Sequence, residues 1–506
     1  MILRRDVLKW AALGLGASVS AAGAASDPVP PAPMRFEAGD VLGRARELAR
    51  KPFAAPSSEL PAPFADLTYD QYVGIRQKPG SAIWADEKVG FALEPLHRGF
   101  IFSAPMRINL IENGQSHALG YEAARFDFGK LQVPANLPDV GFSGFRVLQF
   151  GPGGVLQDVA IFQGASFFRA IARGQNFGVT ARALSLRTAD PKGEEFPLLR
   201  EVWIEKPSLA NDALTIHALL DSESVTGAYR FTLRPGDVTI IDTECTLVSR
   251  TAIDALGLGT MAGMSLFGPL GRRPGDEVRA GVYEVGGLQV LNQNGEWLWR
   301  PAVNRDTLQL SSFVDPNPRG FGMLQRERRF PQFQDDDQHW ELRPSLWIEP
   351  LGDWGEGSVV LVEIPSDAEI NDNIICFWRP KAAMPANTEA SYTYRQSFCW
   401  TPLERPTGAI CTATRDGRGP GTKSHRFLVE FTSDAFADAA GVADLHPMIS
   451  ASAGTISGIR TFHSAANRTF RVHFDMEAGV PMTELRLVLE RGGKPASETW
   501  LYRWTS

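Results

Sequence analysis

Residues 358–380, SVVLVEIPSDAEINDNIICFWRP, set three carboxylates between two apolar runs. Asp367, Glu369 and Asp372 fall in the polar middle, and the runs 358–364 and 374–378 consist of the β-branched and aromatic residues that favour strands. A loop pinned between two buried strands holds its carboxylates at fixed positions while leaving them open to a ligand. Cleavage of a glycosidic bond asks for such an arrangement. A protonated carboxyl must lie beside the leaving oxygen and a second carboxylate must activate water, at roughly 6.5–9.5 Å in inverting enzymes. Glu369 and Asp372, at i and i+3, are close enough to repel, which would keep one of them protonated near neutral pH. A solvated acidic hairpin tip accounts for the same spacing, and spacing alone does not separate the two.

The elements that would position this loop are almost all strands. Pieces of about five to ten residues, alternating or continuously apolar, recur at 146–150, 159–162, 214–220, 229–233, 238–248, 307–313 and 345–348, with Gly, Pro, Asn and Asp between them. That pattern predicts an all-β protein with a large N-terminal β-sandwich over 34–398. Only 44–51 and 69–76 read as short helices. The stretch 399–424 is rich in breakers and predicts a linker. Strand-like pieces over 425–506 then predict a smaller immunoglobulin-like C-terminal β-sandwich.

Residues 1–25 have the layout of an export signal. Arg4 and Arg5 lead to Lys9, an apolar run over 10–19 and small residues over 22–25. The paired arginines match the twin-arginine type and predict a periplasmic protein, and the apolar run falls short of the about 20 residues that span a membrane. The 506 residues exceed what one core usually serves, which predicts two domains. A net charge of −7 without a basic run excludes nucleic acid as a partner. Cys245, Cys376, Cys399 and Cys411 form no C-x-x-C pair, and the eight histidines form no metal motif, so neither a metal nor a cofactor is expected. Cys399 and Cys411 are near enough in sequence to bridge in an oxidising compartment, or to stay free if folding precedes export.

Several long words run along the chain in fixed order. They are GASFFRA at 164–170, GVTARAL at 178–184, EEFP at 194–197, LLDSESVTGAY at 219–229, NGEWLWRP at 294–301, GFGMLQR at 320–326, RPSLWIEP at 343–350 and ETWLY at 498–502. Together they resemble the periplasmic glucan biosynthesis family OpgG/OpgD (also MdoG/MdoD) over essentially the whole mature chain, and the twin-arginine pair leans toward the OpgD type. The resemblance implies a large β-sandwich with a substrate cleft, a short helical linker and an immunoglobulin-like domain. It implies osmoregulated periplasmic glucans, chains of β-1,2-linked glucose, as the substrate class, and inverting hydrolysis or transglycosylation as the reaction.

In the family pattern the general acid is the Asp of a Glu-x-x-Asp-Asn loop, which falls on Glu369, Asp372 and Asn373. Family hydrolases carry their candidate base in a His-Asp-Ser-Asp segment ahead of Gly-Leu. Here Tyr283 stands for the His, Glu284 for the first Asp and Gly286 for the second. A Glu is one methylene longer, and proton transfer through a positioned water depends on such distances. Efficient hydrolysis is therefore not expected to follow from the resemblance alone, and transfer to a sugar hydroxyl, cyclisation included, becomes an expectation beside it.

Sugar binding needs aromatic platforms and planar hydrogen-bonding groups. Trp84, Phe168, Tyr283, Trp299, Trp340 and Trp347 are candidates for the first, and Arg169, Arg182, Arg300 and Arg343 for the second. Core packing is the competing role for every aromatic among them. The run Asp335–Asp337 with His339 and Trp340 reads as a loop over the cleft or as a solvated charged turn. The altered Tyr283-Glu284 segment favours an alternative, a non-catalytic glucan-binding scaffold working with a membrane glucosyltransferase. Glu369 and Asp372 favour an enzyme.

Overall fold

The computed structural model describes residues 34–208, 212–271, 275–419, 424–477, 479 and 481–505. The export-signal stretch 1–25 lies outside the described residues. The fold is all-β, because its apolar runs are too short for helices and their β-branched and aromatic side chains suit a pleated, half-buried surface. Among the described residues, α-helix is confined to Gly39–Ala49 and Tyr69–Val73. Among the described residues no helix is long and apolar enough to cross a membrane.

A 16-stranded sheet and a 10-stranded sheet share one core. The contact between them is aromatic: Phe162 stacks on Phe145 and on Phe168, each at 5.0 Å, and Phe168 meets Phe231 of the larger sheet at 5.4 Å. Strands near the centre of the sandwich, such as Leu256–Gly263 and Gly287–Leu291, are buried along their whole length. In the 10-stranded sheet Gly357–Glu363 pairs antiparallel with Ile374–Pro380, from Gly357 opposite Pro380 to Glu363 opposite Ile374. That register leaves 364–373 as the connecting loop.

The C-terminal sandwich has one sheet of its own, Ile410–Arg418, Ser424–Thr432, Thr469–Glu477 and Thr455–Ser464. Its other layer, Thr499–Thr505, Met482–Arg491 and Leu445–Ala451, is the far end of the 16-stranded sheet. The join is a parallel pairing of Leu298 with Thr499 and Trp299 with Trp500. Within the stretch 399–424, residues 410–418 are therefore strand, with Cys411 and Thr414 turned inward. Residues 400–408 are irregular, not helical, as Pro402 and Pro406 require. Cys399 and Cys411 are both free and buried, as are Cys245 and Cys376.

Candidate active site

Four segments converge beside the hairpin loop 364–373. The first is strand Phe167–Ala170, where Phe168 and Ala170 point into the core and Arg169 points outward. Arg169 Nε donates to Thr180 Oγ1 at 2.7 Å, and its Nη2 stands 3.9 Å from Asp372 Oδ2. Both side chains keep contact with solvent, with 42% and 28% of their surface exposed.

The second segment carries Glu284. Strand Val282–Tyr283 pairs with Ser265–Phe267, and the Glu284 and Met264 backbones close the end of that ribbon through Glu284 N to Met264 O at 3.0 Å. Glu284 Oε1 accepts from Met264 N at 3.2 Å. Gly263 leaves the room for this carboxyl, since a Cβ there would sit 2.6 Å from Val285 Cγ2 and 3.1 Å from Glu284 Oε1. Burial first, and then the charge of Asp372, pushes the Glu284 carboxyl up to about 7, while Arg169, Arg343 and the Met264 N–H pull it back. The electrostatic partner of Asp372 is thus Glu284 and not its loop neighbour Glu369.

Glu369 is taken by Arg279, whose Nη2 donates to Glu369 Oε1. The same guanidinium bonds Glu277 Oε2 at 2.7 Å and Asp335 Oδ2 at 2.9 Å. Side-chain hydrogen bonds from Arg279 hold the Glu277 carboxyl down at about 2, and the three carboxylates raise Arg279 in turn. One arginine therefore ties the segment before Glu284 to the loop of Asp372 and to the 333–343 segment.

In that last segment Asp335 accepts from Trp340 Nε1 at 2.9 Å and from Gln338 N at 2.9 Å. Burial would raise the Asp335 carboxyl, but these donors and Arg279 outweigh it and the net shift is downward. Arg343 lies 5.0 Å from the Trp340 ring centroid and donates to Gln338 O at 3.1 Å. Its Nε has no protein partner. Burial lowers the Arg343 pKa and the Glu284 charge raises it. Asp335 and Trp340 are thus built into the site's frame, with Asp335 only 6% exposed, and the run is not a solvated turn at that residue.

Asn373 completes the loop by locking it. Its Nδ2 donates to Ser265 O at 2.9 Å and to Ile364 O at 3.1 Å, and its Oδ1 accepts from Ser265 N at 2.8 Å. Gly286, at the place of the second Asp in the resembling pattern, has Leu324 O within 3.2 Å of where a Cβ would stand.

The structure brings Asp372, Glu369, Glu284, Arg169, Arg343 and Trp340 together. Tyr283 supports them from below, packed at 4.8 Å on Phe333 in the small apolar cluster of Met264, Phe267, Val282 and Trp340. Arg182 is on the same sheet but is held by Glu194 at 2.6 Å and lies over Phe167. The remaining candidates lie elsewhere, for reasons of packing. Phe168 is 1% exposed between Phe162 and Phe231. Trp84 is buried, with Nε1 toward Glu112 at 3.4 Å. Trp347 is buried against Trp297. Trp299 lies under Arg326 in the C-terminal core, and Arg300 pairs with buried Glu363.

The strongest signal that sequence spacing did not supply is Arg279, 90 positions from Glu369. A separate open concavity of about 640 Å³, lined by Trp354, Lys381, Met384 and Tyr392, lies at the opposite end of the same hairpin, next to Pro380.

Residues 36–504 match the model of a family described as periplasmic glucan biosynthesis protein, MdoG. The chain is 42% identical over 478 residues to the glucans biosynthesis protein G of Shewanella sp. strain ANA-3, covering 93% of this chain and 87% of that protein. It is 40% identical over 505 residues to the protein of the same name from Rhodopseudomonas palustris strain BisA53, covering 99% of each. These relatives carry the G name, and the lean toward the D type rests on residues 4–9 alone. A galactose mutarotase related enzyme from Lactobacillus acidophilus is matched over 47% of this chain and 96% of its own, at 7% identity and a TM-score of 0.20.

Proposed function

The chain belongs to the MdoG family of periplasmic glucan biosynthesis proteins, and from that premise we propose that it tailors the glucan backbone itself, as an inverting glycoside hydrolase or transglycosylase on β-1,2-linked glucose. The observation that carries this reading is the pair Asp372 and Glu284, presented by two different segments, each within the field of the other and of Arg169. Asp372, at the acid position of the family's Glu-x-x-Asp-Asn loop, donates the proton to the leaving oxygen. Glu284, poised at about 7, accepts a proton from the attacking water or sugar hydroxyl, and a base works best with a pKa near the working pH. Arg343, with an unpartnered Nε, and Arg169 supply donors for sugar hydroxyls or for developing charge. Glu369 holds the loop through Arg279.

An exposure of only 6% for Glu284 restricts the access of free water, which supports transfer and cyclisation over hydrolysis. The same burial also supports the second reading, a scaffold that holds the nascent glucan for a membrane glucosyltransferase. Export by the twin-arginine route belongs to this proposal too.

Incubation of the purified mature protein with linear β-1,2-glucan, followed by mass spectrometry, separates these readings. Products lighter by one water are cyclic and mean transfer, and new reducing ends mean hydrolysis. Asp372→Asn should abolish either, by about 10²- to 10⁴-fold, the usual worth of a positioned acid. Unchanged glucan with intact binding in both proteins would leave the scaffold.

A further inference from the structure

The segment 299–305 touches both the acid-bearing loop and the core of the C-terminal sandwich. On the C-terminal side, Trp299 pairs in the sheet with Trp500, and Trp299 and Val303 are buried in the cluster of Phe427, Phe431, Leu487 and Trp500. The Arg305 and Arg300 guanidinium groups lie 5.1 and 5.5 Å from the ring centroid of Tyr502.

On the loop side, Glu363, the last residue of the strand before the loop and 0% exposed, accepts from Val303 N at 3.0 Å and Arg300 Nη2 at 3.1 Å, with Arg305 Nε at 3.5 Å. Asn304 then grips the loop itself. Its Nδ2 donates to Ser366 O at 2.8 Å, and its Oδ1 accepts from Ser366 N at 3.0 Å and from Asn373 Nδ2 at 3.3 Å. Both ends of 364–373 are thus fixed by residues whose own places are set by the C-terminal domain.

We infer that the C-terminal sandwich is a positioning element for the candidate acid, acting through Tyr502, Arg305 and Asn304 to hold the loop that carries Asp372. The contacts point to it: the Arg305 side chain, only 9% exposed, is held between Glu363 at 3.5 Å and the Tyr502 ring at 5.1 Å, so loss of the ring removes one of its two supports. None of the three residues touches Asp372. They act on the loop's ends, so their loss should change where the carboxyl stands rather than whether glucan is bound. The link to catalysis rests on the function proposed above, while the link to the loop does not.

The test uses the full mature protein and two readouts. Hydrogen exchange read by mass spectrometry on peptides covering 364–373 reports the loop directly, and turnover of linear β-1,2-glucan reports the chemistry. In Tyr502→Leu we expect faster exchange in 364–373, with turnover lowered about tenfold or more at little change in KM, inside the ~10²-fold that an ångström of misplacement costs. Tyr502→Phe should restore both. Asn304→Leu, which leaves the C-terminal core alone, should reproduce both effects even if Tyr502→Leu does not fold. Unaltered exchange in 364–373 for a folded Tyr502→Leu would overturn the inference, as would unaltered exchange in Asn304→Leu should Tyr502→Leu fail to fold. Altered exchange with no glucan turnover in the parent would uphold it and sink the enzymatic reading instead.

Discussion

Two arginine centres flank the loop 364–373, and they are built in opposite ways. At the site, one arginine, Arg279, is shared among Glu277, Asp335 and Glu369, with Asp372 and Glu284 close by. The side chains of Arg279 and Glu369 keep 22% and 35% of their surface in contact with solvent. At the domain junction, two arginines, Arg300 and Arg305, share the single carboxylate of Glu363 and a tyrosine ring; Arg300, Glu363 and Tyr502 are buried and the Arg305 side chain is 9% exposed. Excess negative charge near water leaves protons free to move, which suits chemistry. Excess positive charge in a dry pocket is tolerated only when geometry is fixed, which suits a joint. One loop is therefore held rigid at its base and kept electrostatically loose where Asp372 stands.

The largest effect should come from breaking the dry centre. Glu363→Gln strands two buried guanidinium groups and should cost about 3–5 kcal/mol, read as a lower denaturation midpoint. A loss under about 1 kcal/mol would mean that water already reaches the joint.

At the wet centre, Glu284→Gln should act with pH. The folded carboxyl titrates near 7, above the value of about 4.5 that it has when unfolded, so the folded state retains its proton over that window while the unfolded chain gives it up. Stability should fall as pH rises from 4.5 through 7. The variant should be more stable than the parent at pH 8 by on the order of 3 kcal/mol and equal to it at pH 4. With Glu284 as base, kcat/KM for glucan should rise through about pH 7, and a fall over the same range would exchange the roles of the two carboxyls.

Gly263→Ala should cost about 1–3 kcal/mol by overpacking against Val285, and it should shift the pH at which kcat/KM turns, because the Glu284 carboxyl must move. The smallest effect on stability is expected for Arg279→Met, about 1 kcal/mol or less for a partly exposed network, with a larger loss of turnover as three segments loosen. A melting shift without any change in turnover would make Arg279 a purely structural clasp.

The hairpin and its acidic loop were legible in the sequence because two β-branched runs with a polar break between them admit little else. What the loop's carboxylates would pair with was not legible. Local spacing set Glu369 against Asp372, but Arg279 and Glu284 arrive from distant segments and rearrange the pairing. Strand periodicity also leaves open which face is inside. In Phe167–Ala170 the alternation puts Phe168 in the core and leaves Phe167 and Arg169 outward, so the aromatic proposed for sugar was one position off the open face. Trp299 and Arg300 have the residue types of a sugar site, but a sheet that runs on into the C-terminal domain buries them at the junction. That continuation depends on pairing between strands far apart in the chain, which no local pattern encodes. The stretch 410–418 escaped notice as a strand because its outward positions are polar and its one glycine, Gly417, falls at the hairpin end.

The pairing of Trp299 with Trp500 also bears on how the molecule is made. Strand Trp297–Pro301 is an interior strand only once residues roughly 200 positions later have been synthesised, and such distant pairing is slow to form. Until then it is a bare flank of a hydrophobic sheet, open to any other chain that offers a strand. A chain shortened before Thr499 should therefore yield aggregates in place of a smaller working protein.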